Sequence, residues 1–157
     1  MNRPMRSLRL LATLIVLGAS SLLPVAIAPA QEAPRKLPTV RLNASLHNIQ
    51  AEVARTPEQR ATGLMHRTAL GANDGMLFVF DEPGVQCFWM KNTLLPLSIA
   101  YLSDDGRIIN IAEMQPRSLD SHCSAQPVRL ALEMNAGWFA KRGVKAGSRL
   151  GGTVFQR

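Results

Sequence analysis

The sequence predicts a mainly β protein: a single compact antiparallel β-barrel or sandwich of about eight short strands with one or two short helices. Three observations carry that expectation. Short apolar or alternating runs recur between turn signals from Val40 to Phe155. Only one segment, opened by Thr56-Pro57-Glu58-Gln59, has a strong helix start. The regular strand–helix alternation of a parallel sheet is absent.

The elements follow in order. Arg3, Arg6 and Arg9 precede an apolar run from Leu10 to Leu17, and Ala28-Pro29-Ala30 offers a small-residue cleavage pattern. Gly18, Ser20, Ser21 and Pro24 interrupt the run, so residues 1–30 read as a cleaved signal peptide rather than a spanning helix. Residues 31–45 read as an N-terminal tail and first strand, and residues 46–157 as one β-rich domain. Val40–Leu42 and Leu46–Val53 are strands, with a short hairpin link at Asn43-Ala44-Ser45. Thr56 can cap, Pro57 suits the first helical position and Gln59 completes a capping box, predicting a helix to about Arg67. Gly63 weakens that helix and permits close packing against a strand.

Met76–Phe80 is a continuous apolar run, as for a strand buried on both faces. Gln86–Lys91 and Leu97–Ser103 are the next strands, and Asp104-Asp105-Gly106 turns into Arg107–Met114. Pro116–Pro127 is a long polar loop. Val128–Met134 alternates, with Arg129, Ala131 and Glu133 on one face, so a solvent-facing Glu133 is the plain reading. Trp138–Arg142 is a short helix and Arg149–Phe155 a last strand.

Charge and chemistry narrow the function. Removing Arg3, Arg6 and Arg9 from a net +7 leaves +4, with the bases scattered, so nucleic acid is not an expected partner. The signal segment implies bacterial export to the periplasm or beyond, with no stable membrane insertion after cleavage. There, Cys87 and Cys123 form a disulfide candidate that would close a loop of about 37 residues and add about 4 kcal/mol. His47, His66 and His122 are dispersed, and no metal-ligand spacing occurs. Met65, Met76, Met90, Met114 and Met134 sit at core-like positions, which favours core filling over a copper carrier. No nucleophile elbow, phosphate loop or dinucleotide fingerprint is present, so no cofactor is expected. Polar residues among apolar ones remain as candidates for ligand or partner contact: Arg67, Lys91, Asn92, Thr93 and Glu133.

Thr56, Arg60, Gly63-Leu64-Met65, Arg67, Gly75–Phe80, Phe88–Thr93, Pro96-Leu97, Leu132-Glu133 and Gly137 occur together in order. That combination resembles domain-of-unknown-function family 192 over nearly all of the mature chain. The resemblance implies a small, often exported β-rich barrel or sandwich with no agreed activity. Two places depart from the family pattern. Ser98 follows Pro96-Leu97 where an Asp is usual, and Ser148 follows Gly147 where Asp is frequent. The loss of both carboxylates turns the reading further from catalysis. The expectation is therefore a non-catalytic periplasmic module that binds a small ligand or an envelope protein. The alternative is an envelope enzyme acting on a glycan or peptide, with Glu133 as acid or base and Lys91 tuning it.

Overall fold

The computed structural model describes residues 36–155. The signal-peptide reading of residues 1–30 lies outside them.

β1 (Thr39–Ala44) and β2 (His47–Ala54) form a hairpin whose turn is Ser45-Leu46, with Ser45 at φ 52°. α1 (Pro57–Thr62) follows. Thr56 Oγ1 accepts from the Gln59 N–H, and Gln59 Oε1 accepts in return from the Thr56 N–H, so the capping box forms as its residues dictate. Then come β3 (Asp74–Gly84), the two-residue β4 (Cys87–Phe88), β5 (Leu97–Leu102) and β6 (Ile108–Met114). β7 (His122–Cys123), β8 (Val128–Asn135) and β9 (Leu150–Gly151) complete the strands.

Seven strands make one curled sheet in the order β6-β5-β8-β3-β2-β1-β9. β4 and β7 make a separate two-stranded sheet. The ends of the large sheet approach each other, with Arg107 bridging Arg149 and the Ile108 N–H donating to the Ser148 carbonyl at 2.8 Å. The mainly β architecture is as expected, but the purely antiparallel arrangement is not. β2 and β3 pair in parallel, from Gln50↔Asp74 to Ala54↔Phe78. Parallel neighbours need a crossover of about a dozen residues or more, and the segment carrying α1 supplies it. A strand-helix-strand unit therefore lies inside a fold whose sequence shows no regular alternation.

Several elements are shorter than the sequence suggests. α1 ends at Thr62 rather than near Arg67, because Gly63 turns out of the helix at φ 49°. The expected strand Gln86–Lys91 contracts to Cys87–Phe88, because Met90–Thr93 closes a turn in which Asn92 takes φ 58° and the Thr93 N–H donates to the Met90 carbonyl. The expected last strand stops at Gly151 and gives way to a 3₁₀ turn, Thr153–Phe155. Trp138–Arg142 holds only a 3₁₀ turn, Ala140–Arg142.

The sheet carries apolar side chains on both faces. One core draws on all seven strands and includes Leu42, Ile49, Leu77, Ala100, Ile108, Leu132 and Leu150, capped by Trp138 and Phe139. This is the concave face. The opposite face carries Met76, Phe78, Ile99, Tyr101 and Ala131, and it is covered by Leu64 and Met90 from the flanking segments. Met76, Met90, Met114 and Met134 are buried in these cores, whereas Met65 is only half-buried and lines a cleft instead of filling the core.

Candidate functional site

β8 sets the site. Its alternation puts Leu130, Leu132 and Met134 into the concave core, and turns Ala131 and Glu133 to the other face. Glu133 stands opposite Met76 on β3 and Ile99 on β5. Gly75 lets β3 run this close, since a Cβ there would lie 2.4 Å from the Glu133 carbonyl oxygen.

The face that bears Glu133 is not solvent-facing, which corrects the plain reading of the alternation. Segments from α1 to Met65 and from Gln86 to Thr93 fold over it, and Glu133 is 5% exposed. Among the described residues its carboxyl has no hydrogen-bond or ion-pair partner. Burial alone pushes its pKa up from 4.5 to about 8. No neighbouring cation opposes that shift, so Lys91 does not tune it. Tyr101 is also raised, by burial first and by the Glu133 charge second, which marks the two as neighbours. The Tyr101 hydroxyl is committed elsewhere, donating to the His122 carbonyl.

Above Glu133 lies a half-open cleft of about 260 Å³. Its walls are Phe78 and Phe80 from β3, Phe88 and Trp89 at the β4 end, and Arg60 to Met65. Phe88 packs edge-on against Phe78 at 4.8 Å, Phe80 at 6.3 Å and Tyr101 at 6.0 Å between ring centroids. Gly63 brings the end of α1 onto this wall, because a Cβ there would stand 3.2 Å from the Phe78 ring. Arg60 lies 4.9 Å over the Phe80 ring and donates to the Val79 carbonyl at 2.9 Å. Trp89 is half exposed at the lip, with the Lys91 ammonium 5.3 Å from its ring centroid.

The disulfide forms between Cys87 and Cys123, pairing β4 with β7. Cys87 itself lines the cleft, so the bridge ties the aromatic wall to the loop after β6.

The five sequence candidates divide. Glu133 and Thr93 line this cleft together. Thr93 is buried, and its hydroxyl donates to the Lys91 carbonyl at 3.4 Å. Lys91 and Asn92 are exposed on the adjoining turn, which the His66 N–H ties down by donating to the Asn92 carbonyl at 2.9 Å. Arg67 lies apart. It grips Glu52 with two hydrogen bonds of 2.7 Å and borders two other hollows. Burial works to raise the Glu52 carboxyl. The Arg67 hydrogen bond, the Leu37 N–H and the charges of Arg67 and Lys36 outweigh it and hold it below the ordinary value. Arg60, Phe78, Phe80, Phe88 and Trp89 also line the cleft and are not among those five. The alternation of Phe78 and Phe80 was the available signal. Among the described residues no three His, Cys, Asp or Glu side chains gather as around a metal ion.

Ser98 is joined to an acid on the paired strand. Ser98 is fully buried and its hydroxyl donates to the Glu113 carboxylate at 2.7 Å. The Gly137 N–H donates to Ser98 Oγ at 2.8 Å and to Glu113 Oε2 at 3.1 Å. Ser148 has a turn role, accepting from the Lys145 N–H at 3.0 Å.

The chain is similar to solved structures, among them the following two. A proposed transcription regulator from Sinorhizobium meliloti 1021 is 37% identical with a TM-score of 0.73, over 78% of this chain and 99% of that one. A protein of unknown function from Novosphingobium aromaticivorans DSM 12444 is 37% identical with a TM-score of 0.71, over 80% of this chain and 94% of that one. No curated protein matches the chain. The family model described as Uncharacterized ACR, DUF192, matches residues 39–152, which span both sheets and every residue of the cleft, and the chain belongs to that family.

Proposed function

We propose that this protein is an exported, periplasmic binding module, and that the cleft over Glu133 takes its ligand. The observation that carries this is an unpaired, buried carboxyl at the floor of an aromatic-walled hollow. The carboxyl has no protein partner among the described residues, and a hydrogen bond to such a charged group is worth roughly 1.5–3 kcal/mol. A ligand that supplies the partner gains that bond, and the four rings offer it apolar area. Thr93 contributes a hydroxyl inside the cleft, and Lys91 with Asn92 forms the adjoining rim. Arg67, paired with Glu52, supports the segment after α1. Export is supported by the N-terminal pattern and, weakly, by the disulfide.

A fragment screen followed by the Trp89 indole NMR resonance tests the binding reading, with Glu133→Gln and Phe88→Ala as controls. Ligands that shift Trp89 in the wild type and lose affinity in both variants support it. Binding indifferent to both variants refutes this site. Mass measurement of the protein recovered from bacterial periplasm tests export: a chain beginning at Gln31 is expected, and a full-length cytoplasmic product refutes it.

A second reading has its own observation. A carboxyl with a pKa near 8 is poised to exchange a proton at neutral pH, as a general acid or base must. Turnover of an envelope glycan or peptide, abolished in Glu133→Gln with folding intact, distinguishes that enzyme from a binding module.

A further inference from the structure

We infer that the ligand of this cleft is a primary amine on a short apolar stem, held as its ammonium with Glu133 as counter-ion. This rests on the reading of the cleft as the ligand site and adds the chemical class.

Three observations point there. First, Glu133 is the one acidic side chain in the cleft, and it is without a hydrogen-bond or ion-pair partner among the described residues. An ammonium supplies both a charge and up to three N–H donors, which a buried carboxylate lacks here. Second, the remaining lining is rich in π faces and edges from Phe78, Phe80, Phe88 and Trp89. Aromatic surface stabilises a cation where water is scarce. The chain already uses these rings in that way, laying Arg60 over Phe80 and Lys91 over Trp89. Third, the hollow is small, about 260 Å³. It suits a short alkylammonium or one amine-bearing side chain rather than an extended polymer.

The charged and titratable groups around Glu133 are few. Tyr101 on β5 remains a neutral phenol, and its hydroxyl donates to the His122 carbonyl. Arg60 from α1 is fixed on Phe80 and the Val79 carbonyl. Lys91 sits over the outer ring of Trp89. β3 and β4 bring only apolar rings and the bridged Cys87.

The protonation balance gives a distinctive signature. At neutral pH the empty cleft holds a neutral carboxylic acid. Taking an ammonium converts it to carboxylate, so one proton passes to solvent for each amine bound. Affinity therefore climbs about tenfold per pH unit from pH 6 toward 8 and then levels. A neutral or acidic ligand shows no such rise.

The test is calorimetric titration of the full chain with n-butylammonium chloride at pH 6, 7, 8 and 9, in phosphate and in Tris. n-Butanol and butyrate serve as neutral and acidic counterparts, and the Trp89 indole resonance reports the location. Expected are a pH-dependent gain, nearly one proton released at pH 7, and at least a tenfold loss in Glu133→Gln. Repeating the titration with Nα-acetyl-lysine methylamide separates a free amine from a lysine side chain: tighter binding identifies the side chain as the source. If butanol shifts Trp89 as well as the ammonium does and Glu133→Gln changes nothing, the amine assignment is overturned while the ligand cleft stands. If no probe shifts Trp89 at any pH, both are overturned.

Discussion

Replacing Glu133 by Gln should make this protein more stable at neutral and alkaline pH. The sign follows from the proton balance. The folded carboxyl releases its proton near pH 8, whereas the unfolded one does so near its ordinary 4.5. Between these values the unfolded chain is the more readily ionised, so stability falls as pH rises. The slope is about 1.4 kcal/mol per pH unit, giving a loss of roughly 3 kcal/mol by pH 7 and roughly 5 kcal/mol above pH 8. Gln keeps the volume and a polar head but cannot ionise. At pH 5 the two proteins should agree within about 1 kcal/mol, since the wild-type carboxyl is then neutral and Gln matches it in size. At pH 8 the variant should lead by roughly 4 kcal/mol, which for this size of domain is more than 10 °C in Tm on the order-of-magnitude scaling. Urea denaturation at half-unit steps from pH 5 to 9 measures it. The window is clean at its acid side, because Glu52 titrates below 4.5, and at its alkaline side, because Tyr101 is raised above the ordinary phenol value. Parallel curves for wild type and variant across that range would refute the reading of Glu133 as a desolvated, unpaired acid.

The remaining predictions concern the frame around the cleft. Arg67→Ala leaves the Glu52 carboxylate partly buried without its two-pronged partner, and should cost roughly 3 kcal/mol in denaturant melts at pH 7. Because the Glu52 pKa is lowered, the pair's contribution is present above pH 4.5 and lost as pH falls through the folded value, so Arg67→Ala should flatten the acid limb of the stability curve. Cys87→Ser, or reduction by a dithiol, opens a sequence separation of 36 residues and should remove about 4 kcal/mol by thermal melting. It should also weaken any Trp89-detected ligand, since the bridge holds the β4 wall. Gly63→Ala forces a side chain into a left-handed conformation 3.2 Å from the Phe78 ring, at a cost of about 1–3 kcal/mol.

What was legible in the sequence was what short-range chemistry determines. The capping box at Thr56 and Gln59, the Asp104-Asp105-Gly106 hairpin and the alternation of β8 are each set within a few residues. The mainly β class followed from them. The parallel pairing of β2 with β3 was not legible, because α1 is under two turns long and gives no amphipathic repeat to announce a crossover. β4 and β7 hold two residues each, too few for a period, so their sheet depends on the Cys87–Cys123 meeting. Glu133 shows the limit most clearly. Alternation gives its face but not what lies on that face, and the cover comes from residues 60–65 and 86–93, at a distance in sequence. The Arg67–Glu52 pair is likewise set by folding, across 15 residues.

The Ser98–Glu113 contact bears on how such a chain should be compared with others. Position 98 taken alone carries no charge, yet its hydroxyl is bound to a carboxylate on the next strand. Across the β5–β6 ladder Ser98 faces Glu113, and the Glu113 carboxylate also receives the Gly137 N–H. The facing pair therefore acts as one unit. Placing Asp at 98 by itself would set two carboxylates against each other, whereas exchanging both members together would keep one acid at the same Gly137 amide. Variation at 98 and 113 in related chains should accordingly be read as one character, and neither site judged without the other.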